Sequence, residues 1–201
     1  MKTAACPTLL TVLSAFVLLQ AVPAAADNAV VFKPPKMGAP ATRVGGGSRG
    51  SSAHDAKLEV LAPEQTALTS QASPTLYWFI SKAGPAQVEI TLTQGEAEPL
   101  LEKTINGIQQ AGIQAISLQD SGVKLQPGQE YTFTVALVNN PEQRSGDVVS
   151  SAMLKYQVPA KPLTDAAEMA GAGYWYDSLD KLVSGKSPQL ASLLKQAGIS
   201  L

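Results

Sequence analysis

Apolar and polar residues alternate with a period of two along several short runs in the middle of the chain. Val88, Ile90 and Leu92 alternate with Glu89 and Thr91, and Tyr131, Phe133, Val135 and Leu137 alternate with Thr132, Thr134 and Ala136. This is the pattern of strands with one buried face. Seven such runs are expected, at Lys57–Leu61, Thr75–Ser81, Gln87–Thr93, Leu100–Ile105, Ile113–Leu118, Glu130–Val138 and Val148–Val158. Turn residues separate them at intervals of about 8 to 15, the spacing of an all-β domain. None of the connections has a helical period, which argues against a parallel α/β sheet and for a two-sheet sandwich.

The stretch Leu125-Gln126-Pro127-Gly128-Gln129-Glu130-Tyr131 is a turn followed by a tyrosine that begins a strong strand. It resembles the tyrosine corner of immunoglobulin-like and fibronectin-like sandwiches, in which the ring packs inward and the hydroxyl bonds backbone a few residues upstream. The expected fold is therefore mainly β, an immunoglobulin/fibronectin-like β-sandwich of about seven strands. Trp78, flanked by Leu76 and Ile80 on the same face, is its expected core tryptophan. Tyr77 and Phe79 point the other way, either packed within the chain or exposed as an aromatic strip.

Beyond Pro159 and Pro162 the period becomes helical. Thr164 is a candidate cap for a turn over Asp165–Met169, Gly171 and Gly173 interrupt, and Tyr174–Val183 follows. Ser187 and Pro188 start a last helix through Gln196, with Gly198 placed for a left-handed C-terminal residue. Trp175, Leu179, Leu182 and Val183 share one side, as do Leu190, Leu193 and Leu194. A short helical hairpin is expected, packed on the sandwich or on a partner.

The N-terminal end reads as an export signal. Lys2 precedes an apolar run from Leu9 to Val22, and Ala24 and Ala26 fit small-residue cleavage, so cleavage is expected after Ala26. The run is shorter than the roughly 20 residues a spanning helix needs, so no integral membrane span is expected after cleavage, and the destination is periplasmic or extracellular. From Asp27 to Ala56 the chain is rich in Gly, Pro and Ser and carries Lys33, Lys36, Arg43 and Arg49. It is expected to be a flexible basic arm, either a solvated tether or an electrostatic docking element. The expected division is a signal peptide 1–26, an arm 27–56, a sandwich 57–158 and a helical tail 159–201.

Charge and composition narrow the chemistry. A net charge of −1 with only 15% charged residues leaves no basic footprint for nucleic acid. One His and one Cys, His54 and Cys6, fall short of a zinc site. Gly45, Gly47 and Gly50 formally match a dinucleotide-binding glycine motif, but no strand precedes and no helix follows them. His54 beside Asp55, with Ser48, Ser51 and Ser52 nearby, lacks the rigid scaffold a catalytic triad needs. Glu96 and Glu98 are the closest carboxylate pair for a glycoside hydrolase, in a turn where carboxylates are ordinarily solvated. A calcium loop from Asn139, Asn140, Glu142 and Asp147 would be opposed by Arg144. No catalytic residue, cofactor or metal is expected.

Read in order, Phe32-Lys33-Pro34-Pro35, Gly38-Ala39-Pro40, Arg43 to Gly50, Leu61-Ala62-Pro63-Glu64, Ser73 to Trp78, Leu125 to Tyr131, Asn140 to Val149 and Gly173 to Leu179 resemble an exported bacterial family. That family is known as a domain of unknown function, number nine-two-eight in its series. The resemblance implies export and a β-rich domain with a short helical tail, and it brings no activity. It also implies two cysteines in relatives, where this chain has Ser51 or Ser52 and Asn139. A disulfide between them there would have no counterpart here. Arg144 and Asp147 remain as a loop-shaping pair or a recognition element.

The expected function is a non-catalytic, protein-binding or adaptor module of the bacterial cell envelope whose partner is another envelope protein. The alternatives are a carbohydrate-binding module and, behind it, a carboxylate-dependent hydrolase. The candidate interaction residues are Arg144, Asp147, Tyr77, Phe79 and Trp175. The last three are the side chains that a glycan would stack on.

Overall fold

The computed structural model describes residues 29–36 and 56–201. Eight strands and three α-helices occur among them: β1 (Leu58–Val60), β2 (Ala67–Thr69), β3 (Thr75–Ile80), β4 (Gln87–Thr93), β5 (Leu101–Ile105), β6 (Gly112–Ser117), β7 (Glu130–Val138) and β8 (Val148–Tyr156), then α1 (Ala166–Gly171), α2 (Trp175–Ser184) and α3 (Leu190–Gln196). The chain is mainly β. The strands form two sheets, one in the order β1-β3-β6 and the other in the order β2-β8-β7-β4-β5.

The alternating pattern sets the register. Val88 lies opposite Leu137, Ile90 opposite Val135 and Leu92 opposite Phe133, all buried. The buried row continues onto β8, where Ala152 faces Phe133 and Leu154 faces Tyr131. The other sheet answers with Leu76, Trp78 and Ile80, and the Trp78 and Phe133 ring centroids stand 6.3 Å apart. Between the sheets Ser150, fully buried, accepts a hydrogen bond from the Val60 amide at 2.9 Å. A hydroxyl is kept in the core because it satisfies a backbone donor that would otherwise be stranded.

The Tyr131 hydroxyl accepts from the Gln126 amide at 2.7 Å while its ring is buried. Tyr131→Phe is expected to lower stability by about 1 kcal/mol, because the ring stays packed and one hydrogen bond is lost. Urea unfolding monitored by tryptophan fluorescence measures this.

Strand β2 was not among the expected runs. Its three residues are too few to show a period. All are buried because they pair in parallel with β8, Ala67 opposite Leu154 and Thr69 opposite Tyr156. The first helical cap also falls one residue later than expected. Asp165, rather than Thr164, accepts from the Glu168 amide at 2.8 Å, and the Glu168 carboxylate returns to the Thr164 amide at 3.0 Å. The reciprocal pair uses a carboxylate at the helix start, which the helix dipole favours.

Both later helices close with the same hydrogen-bond pattern. After α3, the Ile199 amide reaches the Leu194 carbonyl and Gly198 adopts φ +72°, the left-handed residue expected there. After α2, the Ser187 amide reaches the Leu182 carbonyl and the Lys186 amide reaches that of Val183, but the left-handed residue is Lys186 at φ 48°. A side chain there costs about 1 kcal/mol relative to glycine. Lys186→Gly is expected to raise the unfolding free energy by about that amount, read by chemical denaturation.

Residues 29–36 differ from the expected flexible arm. Val30 is buried, the Phe32 ring meets Trp175 edge-on at 5.0 Å, and the Lys33 amide donates to the Ala170 carbonyl at 3.0 Å. Apolar residues at the head of the segment anchor it against the helices. The low mean hydropathy of the whole 27–56 stretch concealed them. Residues 37–55, with His54 and the glycine run, and residues 1–28, with the expected signal peptide and Cys6, lie outside the described residues.

Candidate functional site

The helical tail lies across one flank of the two sheets. Trp175 is 0% exposed and its Nε1 donates to the Leu61 carbonyl at 2.9 Å. The Tyr176 hydroxyl donates to the Met153 carbonyl at 3.0 Å, and burial raises its pKa. Tyr77, on the outward side of β3, is buried beneath α2 and its hydroxyl donates to Asp180 at 2.6 Å. Burial, then the bond to Asp180, moves the Tyr77 pKa upward. Trp175 and Tyr77 are therefore corrected from candidate glycan platforms to packing elements. Their rings are covered and their polar atoms are already bonded. Phe79 is half-buried on the same face as Tyr77, with Glu59 and Ile113 as its cross-strand neighbours.

Asp177 was not a candidate, yet it is the most enclosed carboxylate of this flank. It accepts from the Ser70 amide at 2.8 Å and from the Ser70 hydroxyl at 2.6 Å, with the Gln71 amide group at 3.4 Å. Burial moves its pKa upward, against the downward pull of those donors. The carboxylate fastens the segment after β2 to the first turn of α2, so its work is structural.

Arg144 and Asp147 are joined in the short 3₁₀ turn before β8. Arg144 Nε donates to Asp147 at 2.5 Å, and its two terminal nitrogens bond both carboxylate oxygens of Glu89 at 3.1 and 2.7 Å. Glu89 and then Asp147 raise the guanidinium pKa. Glu89 lies 55 residues away on β4, so no local spacing could have revealed it. The fork pins the β7–β8 loop to the outer face of the larger sheet. Glu96 and Glu98 are exposed in the β4–β5 turn. Arg144 is likewise exposed.

The opposite flank is open. There β5 ends the larger sheet and β6 ends the smaller one, with neither strand paired on its outer side. A groove of about 450 Å³ runs between them, lined by Leu101 and Lys103 from β5, Ala115 and Ile116 from β6, and Asp120 and Ser121 from the following turn. The two edges are unlike. Strand β5 carries Glu102 and Lys103, charges that discourage edge pairing. Strand β6 reads Gly-Ile-Gln-Ala-Ile-Ser, without charge or proline. Its outer backbone edge is paired with no described strand and carries no charge to discourage pairing.

A family model described as Domain of Unknown Function (DUF928) matches residues 44–199. The chain belongs to this family. No curated protein matches it. The DUF928 match takes in both sheets and all three helices, while residues 29–36 lie ahead of it and pack against it. Among the described residues of this DUF928 chain, no helix is long and apolar enough to cross a membrane, and no three His, Cys, Asp or Glu side chains are grouped to hold a metal ion.

Proposed function

We propose that this chain is a non-catalytic binding module of the bacterial cell envelope that captures an extended segment of another envelope protein along β6. The observation that carries the reading is the contrast between the flanks: one is closed by α2, the other leaves an uncharged six-residue edge beside a groove. An added strand would gain main-chain hydrogen bonds from β6, and its alternate side chains would enter the groove. The domain is read as an immunoglobulin/fibronectin-like sandwich. Supporting this are β3 held between β1 and β6, β7 held between β8 and β4, and the Tyr131 corner. The export signal expected at 1–26 supports reading the module as one that works outside the cytoplasm.

The test is crosslinking capture from envelope extract with the wild-type chain and with Ala115→Lys, an exposed substitution that charges the edge without touching the core. Arg144→Ala serves as a control on the far loop. Loss of at least about tenfold in the captured partner with Ala115→Lys alone supports edge pairing. Equal capture by all three chains overturns it, and recovery of polysaccharide in place of protein turns the reading to glycan binding. Cutting the chain after Pro159 is not a usable control, because it removes Trp175 from beneath Leu61 and Phe32.

A further inference from the structure

Residues 29–36 are held as a bound peptide is held. The Gln196 side-chain amide accepts from the Phe32 amide at 2.9 Å and donates to the Val30 carbonyl at 2.9 Å, reading two backbone groups on one edge of an extended segment. On another side the Lys33 amide meets the Ala170 carbonyl at 3.0 Å. Three side chains anchor the segment. Val30 is buried, Phe32 stands on Trp175, and Pro35 lies so close to Gly173 that a Cβ there would fall 3.2 Å from its ring. Gly173 at φ +89° supplies both the backbone turn and the space. No strand pairing ties these eight residues to either sheet.

We infer that this groove across α1, α2 and α3 is a peptide-binding site filled by the chain's own residues 29–36, and that the same segment of a second copy occupies it by exchange. Lys57, just after the intervening stretch, bonds the Ser200 carbonyl beyond α3 through its Nζ, and Phe32, a few residues ahead of that stretch, bonds Gln196 at the end of α3. Residues 37–55 fully extended reach about 60 Å, well beyond the radius of gyration of roughly 15 Å expected for a domain of this size. A connection of that length can reach the groove of a second copy. An exchanged pair makes every contact of the single chain, so effective concentration decides between them, and exchange becomes competitive at about millimolar chain. The inference stands independently of edge pairing by β6, which lies on the other flank.

The experiment mixes two variants of the chain beginning at Asp27. Phe32→Ala weakens the segment and keeps the groove, and Gln196→Ala weakens the groove and keeps the segment. Sedimentation at about 0.5 mM is expected to give one-chain mass for each variant alone and two-chain mass for the mixture. A labelled peptide of residues 29–36 is expected to bind the Phe32→Ala chain and to lose at least about tenfold in affinity when it carries the same substitution. Peptide binding without a two-chain species overturns the second copy as occupant, and absence of peptide binding overturns the groove as a site. Should Phe32→Ala fail to fold by near-ultraviolet circular dichroism, wild-type chains labelled separately with donor and acceptor dyes decide the matter. Energy transfer rising toward millimolar concentration supports exchange, and its absence overturns it.

Discussion

Trp175→Ala is expected to lower the unfolding free energy by about 4 kcal/mol, the scale of large-to-small changes at fully enclosed aromatic positions. The ring is 0% exposed, Phe32 closes on it edge-on at 5.0 Å, and its Nε1 satisfies the Leu61 carbonyl at 2.9 Å. Alanine leaves a cavity, frees residues 29–36 from their main anchor and strands a buried acceptor. A loss of that size is a large fraction of the 5 to 15 kcal/mol typical of a domain. Trp175→Phe keeps a six-membered ring against Phe32 while giving up the donor and the smaller ring's volume, and is expected to cost about 2 kcal/mol. A double-mutant cycle with Phe32→Ala isolates the aromatic contact, with a coupling of about 1 kcal/mol. Denaturant unfolding of the four chains provides every term. A Trp175→Ala chain within about 1 kcal/mol of wild type would show that the tail does not hold the structure in this way.

The strands whose residues alternate were legible to their ends, because burial on one face imposes the pattern on every second residue. Gln87–Thr93 and Glu130–Val138 were read with the bounds they have in the fold. Strand β2 was invisible because three residues covered on both faces have no period. Helix α2 was read as having one apolar side through Trp175, Leu179 and Leu182, yet Tyr176, Asp177 and Ser178 are buried too. The helix is wedged between α1, the flank of the two sheets and residues 29–36, and partners that arrive from elsewhere leave no trace in the helix's own spacing. Ser178 shows the point, since its hydroxyl donates to the Ala166 carbonyl of α1 at 2.8 Å. The Glu89–Arg144 fork was hidden for the same reason. The unlike edges of β5 and β6, by contrast, were written in the residue types and needed only the sheet order to be given a meaning.

Asp177→Ala is expected to cost about 2 kcal/mol, because it removes the acceptor of the Ser70 amide and hydroxyl and leaves both without that partner in a half-buried setting. Asp177→Asn behaves differently. Its carbonyl oxygen can keep the Ser70 amide while its NH₂ group donates to the Ser70 hydroxyl, so the connection survives without a charge. Burial raises the Asp177 pKa above its ordinary value of 3.8, so the folded chain binds this proton more tightly than the unfolded chain does. Stability from this group therefore declines as pH rises from about the unfolded value through the folded one, and the full desolvation cost is present at neutral pH. The asparagine chain has no such titration. Its stability relative to wild type is expected to increase between pH 4 and pH 7, with the amide variant gaining on the carboxylate as the latter ionises. Unfolding free energies of wild type, Asp177→Asn and Asp177→Ala at about six pH values measure the slope. A wild-type chain that gains on Asp177→Asn across that range would mean that the donors on Asp177 outweigh its burial, and that the carboxylate stabilises the junction through its charge.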